Sequence, residues 1–93
     1  MKYLITYDIS NDKRRTKLST LLDKYGQRVN YSVYECELNQ GQFDKLLYEI
    51  ELQKLLNKKY DSFRLYYMHE KALQKSFELC NRSDPFEYEE MFI

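Results

Sequence analysis

The chain has 93 residues, 43% hydrophobic and 32% charged, with fifteen Lys plus Arg set against fifteen Asp plus Glu. That length makes one domain, which buries only about two-thirds of the surface its unfolded chain exposes, so a partner chain is expected to add to its core. The zero net charge excludes inferring a polyanionic partner from the sum of charges and moves the question to where they sit. Two cysteines, Cys36 and Cys80, lack zinc-site spacing and the density of a secreted disulfide scaffold, and read as two reduced, half-buried thiols. No apolar run approaches a membrane span and Met1 leads straight into a strand, so no membrane association and a cytoplasmic location are expected.

In chain order, residues 2 to 9 alternate Tyr3, Ile5 and Tyr7 with Leu4, Thr6 and Asp8, so neither face is polar until the strand reaches its end. This predicts a central strand. From Asn11 the period becomes helical through Leu18, Leu21, Leu22 and Tyr25, with Ser10 or Asn11 placed to cap the helix and Gly26 placed to end it. Arg28 to Leu38 reads as extended, either one bent strand or two. A second helix is predicted from about Gln42 to Lys58, carried by Phe43, Leu46, Leu47, Ile50 and Leu55. Asp61 to Met68 is another strand, a polar loop follows, and Phe77 with Leu79 suggests a short strand near residue 78. After Asp84-Pro85 the tail alternates Phe86 and Tyr88 with Glu87 and Glu89, which is strand patterning.

The order of elements predicts an α+β fold, a ferredoxin-like βαββαβ sandwich over residues 1–82, with residues 83–93 as an extra C-terminal strand or tail. Helices in that fold cover one sheet face. Because the first extended segments are apolar on both faces, a homodimer packed through sheet faces is expected, with the tail pairing across it or with another protein.

The charges are uneven. Residues 11–28 hold six basic groups against two acidic ones, whereas residues 84–93 hold four acids and no base. Arg14, Arg15, Lys17 and Arg28 are the candidate phosphate contacts, since arginine offers a planar fork for phosphate oxygens; the competing reading is an ordinary solvated helix face. At least one of the two adjacent arginines must point away from any common surface. Asp8, at a strand tip beside these cations, is the candidate catalytic residue and metal ligand. Magnesium takes hard oxygen ligands and is often held by one or two carboxylates, so Asp8 from both copies of a two-fold dimer can share it. The competing reading is a turn or helix-entry hydrogen bond. Mg2+ is the expected cofactor, with Mn2+ as its substitute. Ten tyrosines invite a base-stacking platform, but Tyr3, Tyr7, Tyr31 and Tyr67 lie on strand-like segments where core burial explains them better. His69 has no second histidine to complete an acid–base pair, and Gly26 and Gly41 form no phosphate loop.

Tyr3-Leu4-Ile5-Thr6-Tyr7-Asp8-Ile9-Ser10, Lys13-Arg14-Arg15, the run from Gly26 to Glu35 and Asp61-Ser62-Phe63-Arg64-Leu65-Tyr66 together resemble the CRISPR-associated Cas2 family, over about residues 1 to 80. The resemblance implies a ferredoxin-like homodimer in which Asp8 is the shared magnesium ligand of an endonuclease acting on RNA or duplex DNA. It also implies a bridge between dimers of the Cas1 integrase, with Arg14, Arg15 and Arg28 gripping the DNA of a new spacer. A non-catalytic scaffold is the alternative role, and a ferredoxin-like toxin ribonuclease a more distant one. The family often has glutamine where this chain has Asn30 and phenylalanine where it has Tyr34.

Overall fold

In the computed structural model, which describes residues 1–87, the first alternating run is strand β1 (Lys2–Asp8) and lies inside a four-stranded sheet. The further elements are α1 (Asp12–Leu22), β2 (Gly26–Asn30), β3 (Val33–Glu37), α2 (Gln40–Leu52), β4 (Ser62–Tyr67) and a short α3 (Glu70–Gln74). The sheet order is β2-β3-β1-β4 with every neighbouring pair antiparallel, the arrangement expected of a ferredoxin-like sandwich. Ile5 sits between Tyr34 of β3 and Leu65 of β4, and this register puts Tyr3, Ile5, Tyr7, Tyr34, Cys36, Phe63 and Leu65 on one face. That face meets Leu18, Leu21 and Leu22 of α1 and Leu46 and Ile50 of α2, with Ile9, Leu38 and Leu55 closing the core from the connections.

Local chemistry sets the ends of the helices. Asn11 caps α1 by accepting from the Arg14 amide at 2.9 Å, and Asn39 with Gln42 forms a reciprocal capping box that starts α2 at Gln40, ahead of the expected Gln42. Helix α1 ends at Leu22 with Asp23 as its C-cap, so Gly26 does not end the helix as expected but opens β2. Gly26 has no positive φ; a Cβ there would collide with the Glu35 carbonyl oxygen and with Sγ and Cα of Cys36. Close approach of two strands, not conformational freedom, requires the glycine.

The extended segment after Gly26 is two strands, joined through Tyr31-Ser32, with a register shift between Arg28 and Asn30. Helix α2 ends at Leu52 rather than near Lys58: Lys54 takes a left-handed φ of 52°, and Leu55 turns back into the core. The polar stretch after β4 contains α3, whose N-cap is His69. The strand expected near residue 78 does not form, and Phe77 and Leu79 are exposed. Two alternating apolar residues are too short a pattern to define a strand without a partner edge.

The face of the sheet away from the helices carries Leu4, Thr6, Val33 and Glu35. The chain itself covers part of it, since the C-terminal segment returns across β2 and β3. Arg82 donates to the Val29 carbonyl at 3.2 Å and the Phe86 amide donates to Glu35 Oε1 at 2.8 Å. Burial under that segment raises the Glu35 carboxyl above its usual range, opposed by the Phe86 hydrogen bond. Residues 83–87 form no strand. The remainder of the expected tail strand lies outside the described residues.

Tyr34 shows how α1 is tied to the sheet. Its ring is fully buried, and its hydroxyl donates to Asp23 Oδ1 at 2.6 Å and lies 3.0 Å from Ser19 Oγ. Burial, followed by the Asp23 hydrogen bond, raises the phenol above its usual range. Tyr34→Phe is expected to cost about 1 kcal/mol, because Asp23 and Ser19 recover solvent partners. Urea unfolding measures it as a lower midpoint with an unchanged m-value.

Candidate nucleic-acid interface

Alternation along β1 buries Ile5 and Tyr7 on the helix side and leaves Asp8 exposed on the opposite side, across from Ser62 at the start of β4. The helix-entry hydrogen bond weighed for Asp8 is made by Asn11 instead. Among the described residues the Asp8 carboxylate has no hydrogen-bond or ion-pair partner, and no group of three or more His, Cys, Asp or Glu side chains comes together to hold a metal. Among the described residues Asp8 therefore stands outside any cluster of three or more such donors. That fits an ion that keeps most of its waters and takes a second carboxylate from another copy, and does not fit an all-protein cage within one chain.

The four candidate cations do not form one patch. Arg14 turns inward and ion-pairs with Asp61, while also donating to the Leu55 carbonyl at 3.0 Å. Asp61, whose side chain is 1% exposed, further accepts from the Ser10 amide and hydroxyl, each at 2.8 Å, and from the Asn57 amide at 2.7 Å. The Arg14 guanidinium above all, helped by these donors, holds the Asp61 carboxyl far below the usual carboxylate range. Arg14 and Arg15 diverge, as adjacent helical residues must: Arg15 pairs with Asp12 and donates to the Ile9 carbonyl at 3.0 Å. Lys17 is exposed, as is Lys13 beside the arginines.

Arg28, exposed on β2, reaches α1 by donating to Ser19 Oγ at 2.6 Å and lies over the Tyr34 ring at 5.6 Å. Its guanidinium is held in the protonated form beyond its usual range, first by the neighbouring Tyr7 hydroxyl. That hydroxyl is buried and has no hydrogen-bond partner among the described residues. Arg28 is thus brought beside α1, whereas Arg14 is committed to the interior.

Sequence reasoning placed Asp61 at the head of a strand and missed it as the hub of two loops. The missed signal is a carboxylate at a strand start whose amide neighbours lie in turns. Arg64 was also missed: it lies across from Thr6 on the Asp8 side of the sheet and donates to the Tyr66 hydroxyl at 3.2 Å. Two tyrosines assigned to the core are exposed, Tyr31 at 76% in the β2–β3 turn and Tyr67 at 58% near the end of an edge strand. Strand patterning alone does not distinguish a turn or an edge from the centre of a sheet. Cys36 is buried, which pushes its thiol up to about 12, whereas Cys80 is exposed rather than half-buried.

A family model described as CRISPR associated protein Cas2 matches residues 1–76. Among characterised sequences, the chain is 47% identical over 64 residues to CRISPR-associated endoribonuclease Cas2 3 of Synechocystis, covering 69% of this chain and 67% of that one. It is 39% identical over 77 residues to CRISPR-associated endoribonuclease Cas2 1 of Moorella thermoacetica, covering 77% and 78%. Among solved structures it is similar to Streptococcus pyogenes Cas2, with a TM-score of 0.70 and 29% identity over 86% of this chain and all of that one. It is also similar to a chain of a partial Cas6-RT-Cas1–Cas2 complex, with a TM-score of 0.69 and 28% identity over 94% and 97%.

Proposed function

This chain belongs to the CRISPR associated protein Cas2 family, and from that premise we propose that it is a dimeric CRISPR adaptation protein that binds nucleic acid and cleaves it with Mg2+. The reaction is phosphodiester hydrolysis of single-stranded RNA or duplex DNA, and the partner is the Cas1 integrase. The observation that carries this reading is the exposed Asp8 carboxylate at the tip of β1, without a partner among the described residues, on the sheet face that the helices leave open.

In the proposed dimer two copies pack through these open faces, over the part of β1 and β4 that the C-terminal segment leaves uncovered, and the two Asp8 side chains converge on the two-fold axis. In that dimer residues 83–93 pair with the second copy or with Cas1. The Asp8 carboxylates of the two copies would hold Mg2+, or Mn2+ in its place, and the ion would supply Lewis-acid polarisation of a phosphodiester and a more acidic water. The chain's own residues bind and orient the substrate. Exposed Lys13 and Lys17 on α1 meet the backbone phosphates, Arg28 offers a separate contact at Ser19, and Arg15 is available at the exchange of its surface pair with Asp12. Arg14, notwithstanding its place in the same run, acts from within by holding the loops around Asp61.

Asp8→Asn is expected to lower Mg2+-dependent cleavage by about 100-fold or more, since it removes several kcal/mol of stabilisation at the reacting phosphate. Fold and dimerisation, followed by circular dichroism and sedimentation, remain those of the wild type. Cleavage by Asp8→Asn at the wild-type rate overturns the enzymatic reading. A second reading, a non-catalytic scaffold that bridges Cas1 dimers and holds spacer DNA, is favoured by the lack, among the described residues, of any cluster of three or more metal-ligating side chains. It predicts duplex binding without cleavage by either protein.

A further inference from the structure

The segment that follows α2 lies along α1, and three contacts trace its path. Gln53 and the α1 residues Thr16, Lys17, Thr20, Leu21 and Lys24 line a cleft of about 250 Å³. Two residues on, the Leu55 carbonyl accepts from Arg14 near the start of α1. The Asn57 amide then joins the Asp61 carboxylate that also holds Ser10, two residues beyond Asp8. The connection thus runs antiparallel to α1 and ends beside the strand tip.

Residues 53–60 carry Lys54, Lys58 and Lys59 and no acid. All three lysines are exposed. The turn that presents two of them is rigid, because Asn57 Oδ1 accepts from the Lys59 amide at 3.0 Å while its own amide is held by Asp61. Lys58 pairs with Glu51 at 3.1 Å, but with the side chains 77% and 63% exposed that pair exchanges readily for a phosphate. Lys59 lies over one face of the exposed Tyr60 ring at 5.3 Å, leaving only the other face for a stacked base. The connection that carries these cations thus runs alongside the α1 face that carries Lys17 and Lys24, without a carboxylate on the connection itself.

We propose that the α2–β4 connection, through Lys58 and Lys59, is a second backbone-gripping element for a nucleic-acid duplex, set at a fixed distance from α1 by the Arg14–Asp61 pair. The inference rests on the nucleic-acid-binding reading above and adds to it residues outside the α1 run. Two cation-bearing elements side by side suit the two phosphate strands bordering a groove, and contacts of this kind position a duplex without reading its bases. The half-covered Tyr60 argues against single strands as the ligand.

The experiment is a fluorescence-anisotropy titration of a short labelled DNA duplex and of the matching single strand, from about 50 to 200 mM salt. It compares the wild type with Lys58→Ala/Lys59→Ala and with a charge-matched control, Lys71→Ala/Lys75→Ala. The loop variant is expected to bind duplex about tenfold more weakly at low salt, with a log–log salt slope shallower by about 1 to 2, while the control stays within about twofold of the wild type. Lys58→Arg/Lys59→Arg keeps wild-type affinity. Loop and control variants that behave alike, or a loss confined to the single strand, overturn the inference while wild-type duplex binding stands. A wild type that binds only the single strand overturns this inference alone, whereas one that binds neither form with salt dependence overturns the nucleic-acid reading itself, and this inference with it.

Discussion

Arg14→Ala is expected to lower the thermal midpoint by on the order of 10 °C, a much larger loss than removal of either exposed neighbour, Lys13 or Lys17. The cause is what the substitution leaves behind. The Asp61 side chain is 1% exposed and would keep its charge with only the Ser10 and Asn57 donors to satisfy it. The Leu55 carbonyl would also lose its donor. Asp61→Asn keeps the shape of the hub but gives up the charge, and is expected to fall between Arg14→Ala and the wild type.

The two variants also separate in acid. Arg14 depresses the Asp61 pKa in the folded state below its unfolded value of about 3.9. The stabilisation from this carboxylate is therefore fully present above that value and is withdrawn as pH falls below it towards the folded pKa. The wild type should lose its advantage over Asp61→Asn progressively as the pH falls below about 4. Thermal melts across that range measure it. A difference between the two proteins that stays constant with pH would show that the Asp61 charge contributes nothing to the fold.

Gly26→Val is expected to destabilise the protein by about 3 kcal/mol, or roughly 15 °C in the melting temperature of a domain this size. The collision is with the backbone of β3, at the Glu35 carbonyl and the Cys36 Cα as well as its sulfur, so a side-chain rotation cannot relieve it. The strands must separate, and among the described residues β2 is an edge strand whose one neighbour is β3. Loss should concentrate there: amide exchange at Gln27, Arg28 and Asn30 rises well before exchange at Ile5 in the sheet centre. Because Arg28 rides on this strand, duplex binding should weaken in step with the opening of the hairpin. Wild-type exchange in β2 would show that the sheet accommodates the larger residue.

Much of the fold was legible because its signals are local. Tyr3, Ile5 and Tyr7 alternate against Leu4 and Thr6, and a strand apolar on both faces belongs in the middle of a sheet. Leu18, Leu21 and Leu22 recur at helical spacing and all three are buried. Errors arose where a residue's meaning depends on partners distant in sequence. Gly26 looked like a helix stop because glycine often serves as one, yet its role is set by Glu35 and Cys36, nine and ten positions on. Tyr31 and Tyr67 carry strand-forming side chains, but a turn and an edge expose them.

By itself the sequence determined the succession of β1, α1, an extended segment, α2 and β4, the central place of β1, the position of Asp8 at a strand tip and the membership of the family, since periodicity, capping residues and motif order are all properties of neighbouring residues. The tertiary structure alone decided which cations face solvent. Arg14 and Lys17 lie three apart on one helix, yet Arg14 faces a carboxylate 47 residues away and Lys17 faces water. The Asp61 hub, the path of residues 53–61 along α1 and the cover over Glu35 were decided in the same way. Each requires segments far apart in the chain to meet, and the free energy that joins them comes from packing and pairing across the fold, which no local pattern encodes.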